Sequence, residues 1–175
     1  MIARFQPLHY GHLHVMEQCL LNYTELIVVV GMASQSHTPE NPFTAGERIE
    51  MIRRSLRWRG YDLSRVITVT LPTLEVSRVA VHYVKLYSPS FEAVITLNPI
   101  ISRIFAEEGY KVIEPPSFNR EMLRGSVIRR LMAIGSSEWK KYVPPPVVEY
   151  IEEIKGVERI RALYTEKLPG YYVTV

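Results

Sequence analysis

Two histidines near the start of the chain, His9 and His12, have a spacing that could serve phosphate chemistry. Gly11 between them permits a tight turn, and apolar residues at helical spacing follow, which predicts that both histidines lie at a helix N-terminus. The free amides and partial positive charge of that end attract phosphate, and Arg4 and Gln6 just upstream would donate to the same anion. The alternatives are a surface pair or a metal-binding pair, but for a metal no convincing set of further Cys, His or carboxylate ligands stands nearby.

A second segment that could hold phosphate begins at Gly125 and Ser126. These residues open a predicted helix that carries Arg129 and Arg130, so that hydroxyl, amide and guanidinium donors would be available to one polyphosphate. Taken alone, this pattern would favour an amphipathic helix with arginines on a solvated face. Because it accompanies the histidine segment, we interpret the pair as two halves of one phosphate site.

Strands of a parallel sheet must position these two segments. Leu26–Val30 is a continuous aliphatic run before Gly31, which is typical of a strand buried on both faces. Residues 66–71 and 93–97 repeat this buried signature, and Lys111–Ile113 is a shorter candidate at a sheet edge. Only three residues precede Arg4, so the first strand is either vestigial or begins upstream of Met1.

Helical patterns fill the gaps between the strands. Thr44 and Glu47 have the spacing of a capping box, Gly60 is placed to end the helix that follows, and Arg48 is expected to be structural, with Glu47 among its partners. Alternating strands and helices predict an α/β fold with a doubly wound parallel sheet, in a single domain with C-terminal helices over about residues 139–168. Further helices are expected over residues 79–86, 100–108, 126–134 and 146–155, the last continuing to about residue 168.

The composition fits one globular domain. Of 175 residues, 47% are hydrophobic and 22% are charged, which excludes a disordered or fibrous chain. The single cysteine, Cys19, rules out an internal disulfide. No apolar stretch approaches the length of a membrane span and no signal peptide is recognisable, so we expect a cytoplasmic protein. The 21 Lys and Arg residues against 18 Asp and Glu form no basic stripe, which argues against nucleic-acid binding.

Residues 4–12, with the sequence RFQPLHYGH, resemble the opening motif of the HxGH nucleotidyltransferases, and residues 125–129 resemble the second phosphate-binding element of that superfamily. More specifically, the chain is similar to the archaeal-type nicotinamide mononucleotide (NMN) adenylyltransferases over nearly its whole length. The matching segments follow the family's order and are residues 31–38, 41–49, 98–99, 105–110, 118–120 and 154–159.

The resemblance implies a Rossmann-like nucleotidyltransferase fold and a reaction. The 5′-phosphate of NMN would attack the α-phosphorus of ATP in line, giving NAD and pyrophosphate, with Mg²⁺ bound mainly through the ATP phosphates. A homo-oligomer is also implied. The implied catalytic residues are His12, His9 and Arg129; further ATP and phosphate ligands are Arg4, Phe5, Gln6, Arg120, Gly125 and Ser126; acceptor-binding residues are Ala33, Ser77, Ala80 and Asn98.

Several positions depart from the family pattern. Ala3 and Leu97 replace glycines, Thr73 replaces an aspartate and Ser77 an asparagine. Ala80 stands where the family has the tryptophan that stacks on the nicotinamide ring. These departures gather on the acceptor side of the expected pocket, whereas the residues expected around ATP are mostly kept.

The acceptor side therefore leaves alternatives open. Tyr83 or His82, on the same predicted helix, could supply the missing aromatic surface. Otherwise the protein would be an HxGH transferase with a different phosphorylated acceptor, or a non-catalytic nucleotide-binding protein.

Overall fold

The structure is a computed structural model that describes residues 1–74, 77–115 and 123–167, with only the backbone described at residues 77, 166 and 167. Within these ranges the chain forms five β-strands and seven α-helices, joined by short turns and 3₁₀ segments. The strands are β1 (Ile2–Ala3), β2 (Leu26–Val30), β3 (Val66–Thr70), β4 (Ala93–Ile95) and β5 (Lys111–Ile113). The helices are α1 (Tyr10–Asn22), α2 (Ala45–Trp58), α3 (Ala80–Tyr87), α4 (Pro99–Glu107), α5 (Gly125–Ala133), α6 (Pro145–Glu153) and α7 (Gly156–Lys167).

All strand pairs in the described ranges are parallel. The order β1-β2-β3 forms one ladder and β4-β5 a second, and the Thr96 hydroxyl just after β4 donates a hydrogen bond to the Ile2 carbonyl of β1 at 3.4 Å. Strands β2 and β3 therefore extend the sheet from one side of β1, and β4 and β5 extend it from the other, as in a doubly wound sheet. The predicted fold class is confirmed, and β1 has only two residues.

Strand β2 shows why this sheet needs helices on both faces. Leu26, Val28 and Val30 belong to a large core cluster with side chains from α1, α2, α5, α6 and α7. Val29, between them, belongs to a second cluster with side chains from α3 and α4. Because successive side chains of a strand point to opposite faces, the continuous aliphatic run is buried on both.

Strand β3 does not repeat this pattern. It lies at the edge of its ladder, and its residues are half-buried or exposed. The prediction that it is a fully buried strand is therefore wrong, because its only strand partner in that ladder is β2.

The predicted capping box of α2 is confirmed. The Thr44 hydroxyl accepts from the Glu47 amide at 3.2 Å, and the Glu47 carboxylate accepts from the Thr44 amide at 2.8 Å. Gly60 follows the C-cap of this helix with φ of +79°, a conformation that glycine adopts at little cost. The helix that carries Arg48 therefore has fixed ends.

The C-terminal segment is helical as predicted, but it forms two helices rather than one continuous run. The chain turns at Lys155, whose φ is +53°, and α7 then starts at Gly156. A Cβ at Gly156 would lie 2.9 Å from the ring of Phe43, so the glycine allows α7 to pack closely on the residues before α2. Among the described helices, none has the length and apolar character needed to cross a membrane.

Candidate functional site

A cavity of ≈540 Å³ opens at the carboxyl ends of the strands. Its wall includes residues at or just after four strand ends, namely Arg4, Gly31, Leu71 and Thr96. Ligands of doubly wound sheets bind at this edge, near the point where the strand order reverses. A second cavity, of ≈480 Å³, lies at the opposite ends of the strands, and its described lining contains none of the predicted site residues.

The two histidines meet at the start of α1. His9 is the N-cap, and its Nδ1 accepts a long hydrogen bond, 3.4 Å, from the His12 amide. The two imidazole rings stack with centroids 3.7 Å apart, and the ring of Phe5 lies 4.8 Å from that of His12. His12 lines the cavity, whereas His9 is 6% exposed and lies behind it. His12 is thus the member of the pair that a ligand can reach.

Both imidazoles are uncharged at neutral pH in the free protein. Burial lowers the pKa of His9 to about 4. Burial, and secondly the neighbouring His9, lower the pKa of His12 well below its ordinary value. The buried Nδ1 of His12 also has no hydrogen-bond partner within the described part of the chain. A phosphate bound in the cavity that His12 lines would add a negative charge, which favours protonation of the ring.

The structure brings the second predicted segment next to the first. A Cβ at Gly125, the first residue of α5, would lie only 2.8 Å from the carbonyl oxygen of Gln6. A Cβ at Gly11 would lie 3.5 Å from Cβ of Leu123. The N-termini of α1 and α5 are therefore neighbours, and Ser126 is exposed beside them. Two helix N-termini together form a favourable site for an anion.

Arg129 is buried and engaged with backbone. One terminal nitrogen donates to the Gln6 carbonyl at 2.7 Å, and Nε donates to the Pro39 carbonyl at 2.9 Å. Burial lowers the pKa of Arg129, while the nearby Tyr164 of α7 acts in the opposite direction. The guanidinium therefore fastens α5 to the residues around Gln6, rather than extending into the cavity.

The side chains of Phe5 and Gln6, which the sequence placed among the ATP ligands, face into the protein. Phe5 is fully buried. The Gln6 amide forms two hydrogen bonds with the backbone of Phe43, donating to its carbonyl at 2.9 Å and accepting from its N–H at 3.0 Å. Neither residue lines the cavity. Gln6 thereby joins the histidine segment to the residues that precede α2.

Among the residues that the structure describes, Arg48 is the largest fully buried side chain, and it also binds backbone. It donates to the carbonyls of Arg4 at 3.0 Å, Gly31 at 2.7 Å and Met32 at 3.2 Å. These carbonyls follow β1 and β2, so one side chain ties two strand ends together beneath the cavity. Burial, and secondly the charge of Arg4, lower the pKa of Arg48 to about 10, which leaves it charged at neutral pH.

The structural role expected for Arg48 fits these contacts, and the charge of Glu47 acts on Arg48 as a raising influence on its pKa, but the hydrogen bonds of Glu47 go elsewhere. Glu47 forms a two-armed ion pair with Arg159 of α7, with both nitrogen–oxygen distances at 2.8 Å. Burial alone would raise the pKa of Glu47, but the hydrogen bonds from Arg159 and Thr44 outweigh it and lower the pKa. The partner lies 112 residues along the chain, and the capping-box spacing carries no signal for it.

The predicted acceptor residues are only partly gathered. Ala80 and Asn98 line the cavity, and Asn98 also caps α4 by accepting from the Ile100 amide at 3.0 Å. Leu97, one of the departures from the family pattern, lies beside them in the lining. Ala33 is not part of the lining. The side chain of Ser77 and the whole of Arg120 lie outside the described residues.

The aromatic replacements considered for the missing stack do not reach this cavity. The ring of Tyr83 packs 6.0 Å from that of Tyr87, and neither Tyr83 nor His82 is among the described lining residues. Ala80 is 5% exposed, beside Leu71 and Ile101 in the lining. The described acceptor wall is therefore mainly aliphatic.

A protein-held metal would need ligands that this region does not gather. In residues 1–74, 77–115 and 123–167, no three His, Cys, Asp or Glu side chains come together as a metal site. A divalent ion at the cavity would rely on oxygens of bound phosphate and on water, which Mg²⁺ accepts readily.

A doubly wound parallel sheet, with two adjoining helix N-termini and buried imidazoles at the carboxyl ends of its strands, defines a nucleotide-phosphate-binding α/β protein. The chain belongs to the cytidylyltransferase-like family, whose sequence profile matches residues 1–131.

Close relatives extend the similarity to the C-terminal helices. A nicotinamide-nucleotide adenylyltransferase of Saccharolobus solfataricus is 49% identical over 161 residues, which cover 92% of this chain and 93% of that protein. An enzyme of the same name from Pyrococcus horikoshii is 43% identical over 164 residues, covering 94% of this chain and 87% of its own length. The family that the sequence motifs indicated is thus confirmed.

Solved structures share the fold at lower identity. A bifunctional NMN adenylyltransferase/ADP-ribose pyrophosphatase from Francisella tularensis, complexed with AMP and a manganese ion, superposes with a TM-score of 0.75 at 22% identity. The similarity covers 95% of this chain but only 51% of that one. A nicotinic acid mononucleotide adenylyltransferase from Plasmodium falciparum gives a TM-score of 0.55 at 16% identity, covering 90% and 94% of the two chains.

Proposed function

We propose that the protein is an adenylyltransferase that transfers AMP from ATP to nicotinamide mononucleotide, giving NAD and pyrophosphate. The observation that carries this proposal is the His12 imidazole, which lines the cavity at the strand ends beside two adjoining helix N-termini. The relatives named nicotinamide-nucleotide adenylyltransferase, at up to 49% identity over nearly the whole chain, supply the reaction.

The reaction requires positioning and charge stabilisation rather than a nucleophilic side chain. A 5′-phosphate oxygen of NMN attacks the α-phosphorus of ATP, a new P–O bond forms, and the bond to the β-phosphate oxygen breaks as pyrophosphate leaves. We assign His12 to the α-phosphate, the group at which the new P–O bond forms and the old one breaks. His9 holds the His12 ring by stacking and by capping α1.

The remaining phosphates are assigned to the second segment. Ser126 and the first amides of α5 bind the β- and γ-phosphates, and the exposed Arg4 reaches the triphosphate from the cavity wall. Arg129 holds α5 in place by donating to the backbone carbonyls of Gln6 and Pro39. Arg120 retains the phosphate-binding role that the resemblance implies. Mg²⁺ arrives with ATP as part of the substrate, coordinated by phosphate oxygens and water.

The acceptor side supports a second candidate. An aliphatic wall around Ala80 and Leu97 offers a pyridine ring no aromatic platform among the described lining residues. Stacking of this kind contributes on the order of 1 kcal/mol, so NMN would bind less tightly than to a stacked pocket. A different phosphorylated acceptor is therefore the alternative within the same reaction class.

The test is pyrophosphate release from MgATP with NMN, nicotinate mononucleotide or ribose 5-phosphate, with dinucleotide products identified by chromatography. We expect NAD from NMN, and a fall in turnover of roughly 10²-fold or more in His12→Ala, because preorganised donors at developing charge contribute that much. Turnover of His12→Ala within a few-fold of the unaltered enzyme would remove His12 from the mechanism. ATP binding without turnover on any acceptor would leave a nucleotide-binding protein.

We also propose that the chain functions as a homo-oligomer. The exposed Val79, Leu86 and Tyr87 on or beside α3 offer apolar surface that a second copy would cover. Light scattering during gel filtration measures this directly: a single species at the chain mass of 20.2 kDa would contradict it.

A further inference from the structure

Helix α7 reaches the candidate site from outside the part of the chain that defines the family. The family profile ends at residue 131, and α7 comprises Gly156–Lys167. Its first turns nevertheless contact residues 39–44, here called the 39–44 loop, which leads into the start of α2. Gly156 lies against the ring of Phe43 in this loop.

Arg159 makes the polar part of this contact. One terminal nitrogen donates to the Pro42 carbonyl at 3.1 Å and to the Glu47 carboxylate at 2.8 Å, and the other donates to the second Glu47 oxygen at 2.8 Å. The two side chains are only 20% and 14% exposed. A fork of this kind fixes direction as well as distance, because the guanidinium and the carboxylate are both planar.

A short path leads from this contact to His12. The 39–44 loop holds the Gln6 amide through both backbone groups of Phe43. Gln6 is the residue after Phe5, whose ring packs on His12, and the Gln6 carbonyl receives the hydrogen bond of Arg129. The position of the loop therefore sets the position of both phosphate-binding segments.

We propose that Arg159 is a positioning residue for nucleotidyl transfer, acting through Glu47 and the 39–44 loop on the placement of His12 and α5. The proposal rests on the function proposed above. Arg159 touches no substrate; it holds a loop whose displacement by a fraction of an ångström would misalign the imidazole with the α-phosphate. Errors of that size, remote from the reacting atoms, lower rates steeply.

The chain contains a matched control. Arg54 of α2 also forms an ion pair with a C-terminal helix, donating to Glu153 of α6 at 2.8 Å and to Glu50 at 2.7 Å. Neither carboxylate belongs to the 39–44 loop or to the capping box of α2. Loss of Arg54 removes a link between α2 and the C-terminal helices while leaving the contacts of the loop intact.

The experiment compares Arg159→Met with Arg54→Met in steady-state NAD synthesis and in hydrogen exchange at the Phe43 amide, the donor to Gln6. We expect kcat to fall roughly 10-fold or more in Arg159→Met, with KM for NMN changed about two-fold or less, and faster exchange at Phe43. Arg54→Met should keep kcat within about two-fold and Phe43 protected, whatever its melting temperature. Equal changes in the two variants, or unchanged kcat and exchange in Arg159→Met, would overturn the proposal.

A second variant keeps the test decisive if Arg159→Met fails to fold. Glu47→Gln retains a residue that can complete the capping box but removes the charge that Arg159 binds. It should reproduce the kcat loss and the faster exchange at Phe43. Where Arg159→Met does fold, its combination with Glu47→Gln should be no worse than either alone. Additive losses would mean that the two residues act separately. Absence of NAD synthesis in the unaltered enzyme would contradict the proposed function. Hydrogen exchange at the Phe43 amide would still test whether Arg159 holds the 39–44 loop in place.

Discussion

The buried His9 makes the stability of the protein depend on pH. The pKa of His9 is about 4 in the native protein, against an ordinary value of 6.5. Native His9 stays neutral while the unfolded chain takes up a proton below pH 6.5, so acid favours unfolding. The free energy of unfolding is therefore unaffected by the titration of His9 above pH 6.5 and decreases as the pH falls toward 4. Between pH 7 and pH 5 the difference amounts to about 2 kcal/mol.

Urea unfolding at pH 7 and pH 5 measures this effect. His9→Asn keeps a side-chain oxygen at the N-cap of α1 and removes the titrating ring, so its free energy of unfolding should change less between the two pH values. A variant with the same pH dependence as the unaltered protein would show that His9 is already protonated, or solvated, in the native state.

Arg129 and Arg130 are neighbours in sequence with opposite environments. Arg129 is 5% exposed and binds two carbonyls, whereas Arg130 is exposed on the outer face of α5. Arg129→Ala should lower the free energy of unfolding by about 3 kcal/mol, because it leaves buried carbonyl oxygens without their donors, and it should raise KM for ATP as α5 shifts. Arg130→Ala should cost about 0.5 kcal/mol or less. Chemical denaturation of both variants, alongside ATP kinetics, tests the assignment; equal losses would contradict it.

Residue roles of this kind are where the sequence carries least information. Glutamine and arginine near a phosphate motif suggest free donors, yet Gln6 and Arg129 both bind backbone groups. Every residue carries a backbone carbonyl, so nothing in the sequence marks which carbonyls will accept. The residue types and their approximate location were predictable from the motifs, but their partners depend on contacts up to 123 residues apart.

At the scale of elements, the meeting of α1 and α5 depends on one glycine. A Cβ at Gly125 would approach the Gln6 carbonyl oxygen to 2.8 Å and a nitrogen of Arg129 to 3.1 Å. Gly125→Ala should therefore force the two N-termini apart, costing about 1–3 kcal/mol of stability and weakening ATP binding. Gly46, in the first turn of α2, has its nearest contact at 4.0 Å, so Gly46→Ala should be neutral or stabilising by about 0.5–1 kcal/mol. Melting temperatures and ATP affinities of Gly125→Ala and Gly46→Ala test this expectation. A Gly125→Ala variant with unchanged stability and ATP affinity would mean that α5 does not pack tightly against Gln6.

Local signals predicted the elements better than their ends. The bounds of β2 and β5 and the capping box of α2 agree with the pattern, because aliphatic runs and caps act within a few residues. Strand β4 ends at Ile95 rather than at residue 97, since Thr96 turns its hydroxyl to Ile2 and Asn98 caps α4. The break at Lys155 follows from the packing of α7 on Phe43, which lies more than a hundred residues upstream.

On the scale of the whole molecule, the C-terminal helices are part of the core. Val147 and Ile151 of α6 and Ile160 of α7 are all fully buried in the large cluster that also contains Ile128 and Met132 of α5. Removing α7 would uncover this cluster and leave Glu47 without its partner. Loss of one buried isoleucine alone costs about 2–5 kcal/mol, which is a large part of the 5–15 kcal/mol that typically separates folded from unfolded domains.

We therefore expect a chain that ends at residue 155 to lose cooperative unfolding together with activity. Thermal and urea unfolding followed by circular dichroism would show a broad transition, and MgATP would produce no shift in its midpoint. Ile160→Ala serves as the milder companion: it should still unfold cooperatively, with a free energy lowered by about 3 kcal/mol, and should regain part of its melting temperature when MgATP is added. A chain ending at residue 155 with a sharp transition near that of the full protein would show instead that α1 to α6 form a complete core and that α7 is an appended support.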